Sequence, residues 1–270
     1  MAVKTSLDFI TYRNVVNGQL VDTQENRHGI NPASKLPSHD VPLVTKKDLD
    51  AAVDAARTAF RRWSQTSAAE RKQLVMNYAD AIENERAGFF ALLILEQEKP
   101  FGLAVRWIHE MAEIEIPEEV IENSADRTTS VQYTLIGVVA AIVPRNYPIL
   151  LATGKIAPAL LTGNNIIIKP YPFTPYCGLK LAELAIRIFP PGVVQWCNLV
   201  MQSASKTLKR VPLELGGNDP AIICPDVDIA KTVPRPIAFY AFLNSGQTCL
   251  CVKRIYVHES VYAKFREALV

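Results

Sequence analysis

Apolar positions along this chain change their period twice. Up to Val44, short apolar runs alternate with turn residues, the pattern of strands joined by tight connections. Asn17-Gly18 sits between two such runs in YRNVVNGQLVD and predicts a hairpin. Asn31-Pro32-Ala33-Ser34 predicts a second turn. From Thr45 the apolar residues recur at helical spacing. Thr45 with Asp48 makes a capping pair ahead of Leu49, Val53, Ala56, Phe60 and Trp63. Ser67 with Glu70 opens a second helix, with Leu74, Val75, Tyr78 and Ile82 on one face. Ala87–Gln97 predicts a third helix, and Leu103–Asn123 a fourth, interrupted or restarted at Pro117. Trp107 and Met111, four apart, are expected to pack in the core.

From Ser130 the apolar runs become short and dense. Val131–Leu135 and Gly137–Val143 predict strands, the second apolar enough for a buried parallel strand. A helix over 149–161, a strand over Asn165–Lys169, a helix over 176–189 and a strand over 193–198 follow. This alternation predicts an α/β fold with a doubly wound parallel sheet. No G-x-G-x-x-G follows the first strand, so the ordinary Rossmann fingerprint is missing. Beyond it, Ala221–Cys224 reads as a short buried strand. Asp226 and Asp228 precede a helix that Pro234 and Pro236 should break. Ile237–Asn244 predicts another helix, Arg254–His258 a strand, and Ser260 the start of a last amphipathic helix. A domain boundary is expected between residues 210 and 215, giving a part over 1–210 and a second over 211–270.

Composition narrows the classes of function. Hydrophobic residues are 49% and charged residues 21% of the chain, with a net charge of +2. No basic tract interleaved with aromatics points to nucleic acid. No stretch is long and apolar enough to span a bilayer, and the N-terminus has no apolar core of a signal peptide. The five cysteines are odd in number and irregular in spacing, which favours reduced thiols and a cytoplasmic location. Cys249 and Cys251 lack the partners of a metal site, so no metal is expected.

Two short motifs carry candidate chemistry. SGQTC ends in Cys249, and a cysteine behind a small, glycine-containing turn can be an exposed nucleophile. ELGG begins with Glu214, at the end of the apolar positions Val211, Leu213 and Leu215. Burial there would raise its pKa and suit it to general-base work.

These motifs, with PRNYP (Pro144–Pro148), GNNIIIKPYPFTP (Gly163–Pro175) and FPPGVV (Phe189–Val194), occur in an order that resembles the aldehyde dehydrogenase superfamily. The resemblance runs from Val16 to the last residue. It implies that Cys249 attacks an aldehyde, that Glu214 activates water, and that Asn146 with the Cys249 backbone N–H holds the oxyanion. It implies cofactor contacts from Val143, Pro144, Lys169 and Gly216, with Lys169 on the adenosine ribose. The cofactor that the resemblance implies is NAD or NADP. Pro172 stands where many NAD-preferring relatives carry a glutamate, and losing that acid removes a source of repulsion against a 2′-phosphate. Arg145 replaces the family's usual tryptophan.

Two parts of the family pattern have no counterpart. Gln195–Val200 runs almost directly into Ser203–Lys209, without the Phe-Thr-Gly-Ser turn that cradles the pyrophosphate, a loss of about one βα unit. The chain also ends at Val270, before the family's Glu-Ile-Phe-Gly-Pro ribose contact and its C-terminal oligomerisation strand. The expected fold is therefore an incomplete nucleotide-binding sheet with a truncated α/β catalytic domain. Three readings stand side by side: an oxidoreductase acting on a small-molecule aldehyde, its activity intact or impaired; a non-catalytic partner of a full-length homologue; and a fragment of a gene model. As partners the resemblance implies a second copy of the chain or a full-length homologue.

Overall fold

A computed structural model of the chain describes residues 6–97, 104–197 and 210–270. The chain divides into two compact units, Met1–Met201 and Gln202–Val270. In the first, β1 (Asn14–Val16) and β2 (Gln19–Val21) form the expected hairpin, with Asn17 and Gly18 at φ 50° and 72°. β3 (Asn26–Ile30) and β4 (Pro37–Pro42) form a second hairpin. Its turn is held by Asn31, whose Oδ1 accepts the N–H of Ala33 at 2.9 Å and of Ser34 at 3.2 Å.

Helix α1 (Lys46–Trp63) opens on a capping box between Thr45 and Asp48. Helix α2 (Ala68–Asn84) opens on Ser67, whose hydroxyl accepts the Glu70 N–H. Each satisfies amide donors that a helix start leaves orphaned. α3 (Arg86–Gln97) follows as expected.

The fourth helix departs from expectation. α4 covers Ala104–Ala112 only, and Leu103 lies outside the described residues. Past Pro117 the chain forms β5 (Glu119–Asn123), which pairs antiparallel with β6 (Thr128–Val131). Proline bars a continuing helix, and the β-branched pair Val120-Ile121 suits a strand. The expected strand over Val131–Leu135 is thereby displaced: pairing ends at Val131, where β5 runs out of partners. Trp107 is not a core residue. It is 41% exposed, and the buried stripe of α4 is Ala104, Ile108 and Ala112, one position round, with Met111 at its margin.

The centre of the unit is a β-α-β-α-β run: β7 (Val138–Ile142), α5 (Pro148–Leu161), β8 (Asn165–Lys169), α6 (Tyr176–Ala185) and β9 (Val194–Trp196). The three strands are parallel, and β1 joins β9 antiparallel through Val15 opposite Trp196. The sheet order is β2-β1-β9-β8-β7. Asn198, the expected end of β9, lies outside the described residues, as does the junction over 200–209. β8 is buried along nearly its whole length, as its unbroken Ile166-Ile167-Ile168 run predicts. β7 is not, because β8 and β9 both lie to one side of it; among the described residues it forms the sheet edge, and Ile142 is 46% exposed. The main core joins residues of α2 to α6 with Ile166, Ile168 and Trp196. A smaller cluster gathers Ala52 and Ala56 of α1 with Ile167 and Cys197. The sheet is thus covered on both faces. Full burial of such side chains contributes roughly 1.5–3 kcal/mol each.

In the second unit β10 (Asp219–Ile223) and β11 (Val252–Val257) pair in parallel. Pro234 and Pro236 do not break the helical run. α7 (Ile229–Thr232) passes through a π-helical turn, Val233–Ile237, into α8 (Ala238–Phe242), the wider turn absorbing the missing proline donors. α9 (Glu259–Leu269) packs Phe265 against Ile223, Val233 and Ile237. β10 is buried on one face only: Ile223 lies in this core while Ile222 is 75% exposed. No helix among the described residues is long and apolar enough to cross a membrane.

Candidate active site

In the first unit the candidate residues gather at the carboxyl ends of β7 and β8, where open α/β sheets place ligands. The Val143 N–H donates to the Lys169 carbonyl at 2.9 Å, tying the two strand ends together. Pro144 and Asn146 follow in the bend that leads into α5, and Pro148 starts that helix. Proline suits the first helical turn because its missing N–H would have no partner there.

Lys169 is half-buried, and its Nζ donates to the Pro170 carbonyl at 3.3 Å. Desolvation lowers its pKa, and the nearby charge of Arg27 adds to the fall. Arg27 comes from β3, and its guanidinium lies 5.4 Å from the centroid of the Phe173 ring. Neither cation forms an ion pair among the described residues, and no acid occurs from Pro170 to Ala182. Two basic side chains without a carboxylate partner suit the phosphorylated adenosine end of a dinucleotide. Nothing local in the sequence marked Arg27 as a neighbour of this loop: it sits on an N-terminal hairpin far from Lys169 in sequence.

In the second unit the register of β10 on β11 brings the two motifs side by side. Asp219 is opposite Val252, and ahead of that pair Gly217, two residues before β10, neighbours Cys249, three residues before β11. A Cβ added to Gly217 would lie 2.9 Å from the Cys249 carbonyl oxygen. Glycine at 217 is what permits this approach. Gly216 takes φ 77°, and its N–H donates to Glu214 Oε1 at 2.9 Å. Glu214 itself is exposed, as are Leu213 (70%) and Leu215 (84%). The burial expected around Glu214 is therefore absent from this unit: the apolar alternation of 211–215 belongs to no strand here.

Cys249 is exposed and Cys251 buried. The turn before them holds three successive residues at positive φ, Asn244, Ser245 and Gly246. The Gly246 N–H donates to the Leu243 carbonyl at 3.1 Å, and the Gln247 N–H to the Asn244 carbonyl at 3.0 Å. Lys253 Nζ ties the turn to β11 through the Gly246 carbonyl at 2.6 Å. The Cys251 thiol donates to the Leu243 carbonyl at 3.4 Å, which directs one cysteine inward and leaves the other on the surface. Among the described residues no cluster of histidine, cysteine and carboxylate could hold a metal.

The chain belongs to the aldehyde dehydrogenase family, whose model matches residues 20–199 and 197–270. It is 35% identical to the aldehyde dehydrogenase LUC3 of a Fusarium species, over 299 positions covering 98% of this chain and 63% of the relative. It is 32% identical to succinate-semialdehyde dehydrogenase (NADP+) GabD of Escherichia coli strain K12, covering 94% of this chain and 61% of that protein. Among solved structures, an NADP-dependent enzyme of E. coli matches with a TM-score of 0.88 at 30% identity, covering 97% of this chain and 63% of its own. An aldehyde dehydrogenase of Bacillus cereus in its NAD+ complex matches with a TM-score of 0.86 at 28% identity, covering 96% and 62%. The chain thus spans about 63% of the length of these relatives. The 299 aligned positions exceed the chain's 270 residues, so the relative carries internal residues with no counterpart here. The two stretches matched by the family model meet at 197–199, the junction where the sequence pattern led us to expect the missing segment.

Proposed function

We propose that this chain oxidises an aldehyde to a carboxylic acid with NAD+ or NADP+, through a covalent adduct on Cys249. The observation that carries this reading is the β10–β11 register, which sets Gly217, the last residue of ELGG, against the backbone of an exposed Cys249. In this reading the first unit binds the nucleotide and the second begins the catalytic part. Cys249 Sγ attacks the aldehyde carbon. Asn146 and the Cys249 N–H hold the oxyanion, and losing one such donor costs about 10²–10³ in rate. NAD(P)+, when bound, supplies the hydride acceptor. Glu214 takes a proton from the water that hydrolyses the resulting thioester. Val143, Pro144, Lys169 and Gly216 would hold the cofactor.

Saturable binding of NAD+ or NADP+ to the purified, folded chain is the first expected result, followed by aldehyde-dependent reduction that Cys249→Ala abolishes. A folded chain that binds neither nucleotide would sink this reading.

A second reading, a non-catalytic partner of a full-length relative, is favoured by the edge of β7, which no strand among the described residues covers. It expects co-purification with such a relative and indifference to Cys249→Ala.

A further inference from the structure

We propose that Arg27 selects the phosphorylated cofactor, NADP+ over NAD+, by receiving the 2′-phosphate beside Lys169. The proposal rests on the reading above and assigns a specificity-determining residue within it.

The argument starts from how Arg27 is held. Gly29, two residues on, donates its N–H to Tyr176 Oη at 2.7 Å, and Tyr176 Oη donates to the His39 carbonyl at 2.6 Å. One phenol therefore clamps both strands of the β3–β4 hairpin to the start of α6. A Cβ at position 29 would sit 3.1 Å from the Tyr176 ring and hydroxyl, so glycine permits the approach. β3 is thereby fixed against the loop between Lys169 and Tyr176. Within that loop Phe173 gives the Arg27 guanidinium a ring at 5.4 Å, and Tyr171 packs on Phe173 at 5.8 Å between centroids. A cation against an aromatic face is oriented without being neutralised.

Lys169 ends β8 at the ligand-bearing edge of the sheet. Phe173, four residues past Lys169, holds the Arg27 guanidinium over the loop that Lys169 begins, and the charge of Arg27 adds to the desolvation that lowers the Lys169 pKa. No carboxylate offsets them, since neither joins an ion pair among the described residues and Pro172 contributes no acid. Like charges held together are costly alone and favourable around a dianion. A ribose hydroxyl needs one donor from Lys169. A phosphate monoester uses both cations, and the guanidinium fork matches its oxygens.

The test measures binding rather than turnover. Dissociation constants for NADP+ and NAD+ are measured by calorimetry on the whole chain, wild type, Arg27→Ala and Arg27→Lys. Adenosine 2′,5′-bisphosphate and 5′-AMP serve as probes that need neither the pyrophosphate nor the nicotinamide contacts. In the wild type, adenosine 2′,5′-bisphosphate should bind at least tenfold more tightly than 5′-AMP, and NADP+ more tightly than NAD+. Arg27→Ala should weaken the 2′-phosphorylated ligands about 10- to 100-fold, the scale of a charged hydrogen bond, and change the others less than about twofold. Arg27→Lys should recover part of the loss. An unchanged preference in Arg27→Ala overturns the proposal, as does a wild type that ignores the 2′-phosphate. If neither dinucleotide binds but the bisphosphate binds through Arg27, the dehydrogenase reading fails and the Arg27 site stands.

Discussion

The carboxylate of Glu96, near the end of α3, accepts the backbone N–H of Cys177 at 3.2 Å and caps the start of α6 from 81 residues away. It also accepts the Tyr176 N–H. Burial raises its pKa from 4.5 to about 7, with hydrogen bonds from the Cys177 thiol and the two amides pulling the other way. The folded carboxyl therefore keeps its proton where the unfolded one has lost it. Its contribution is complete below pH 4.5 and is lost as pH rises through about 7. Denaturation midpoints should fall between about pH 5 and 8 in the wild type, and the Glu96→Gln profile should be flatter. Equal slopes in the two proteins would exclude Glu96 as the cause.

Thiol reactivity should divide the cysteines by place. Cys224 and Cys249 are exposed; Cys177, Cys197 and Cys251 are buried. Burial pushes the Cys177 thiol up, helped by Glu96 beside it, and pushes Cys197 up to about 12. Thiolate is the reactive form, so these two are inert for a second reason. An alkylating reagent should modify Cys224 and Cys249 under native conditions and the other three only in denaturant, read by peptide mass spectrometry. Equal labelling of Cys249 and Cys251 would mean that the turn over 243–251 is not formed.

Backbone amides along β7 should alternate in hydrogen exchange. Gly137 accepts from the Asn165 N–H, and the Val143 N–H donates to Lys169. The groups of Val139 and Ala141 share that parity and face β8, whereas those of Val138, Ala140 and Ile142 face the open edge. The first set should be protected and the second should exchange fast. Protection of all would mean that another strand covers the edge. That edge is unguarded by charge or proline, as its sequence shows.

How far the sequence could be read depended on the range of each signal. The strand Asn165–Lys169 and the caps at Thr45 and Ser67 were read correctly because their determinants lie within a few residues. The stripe of α4 was misjudged by one position because two large side chains, Trp107 and Met111, outweighed the small Ala104 and Ala112 that actually pack. Around Glu214, apolar alternation signalled burial, but burial needs a partner surface that no local pattern records. Cys249 was readable as exposed because its turn is local. Arg27 was not, because its position depends on Gly29 meeting Tyr176, 147 residues away.

That dependence on distant packing is sharpest at Gly178, where α6 crosses β9. A Cβ there would strike Trp196, whose indole is fully buried, and would lie 3.1 Å from Cε2 as well. In an exposed helix, glycine to alanine stabilises by about 1 kcal/mol. Here overpacking, at about 1–3 kcal/mol, opposes that gain, because the fully buried Trp196 ring would have to shift. Gly178→Ala should therefore lower stability in chemical denaturation despite the better helix former. Steric conflict makes a further demand: the cost should depend on the indole. Trp196→Leu is destabilising by itself, since it leaves a cavity. In the double variant the new methyl enters that cavity, so the two losses should sum to less than their separate values. Strict additivity would place the harm of Gly178→Ala elsewhere than in its contact with Trp196.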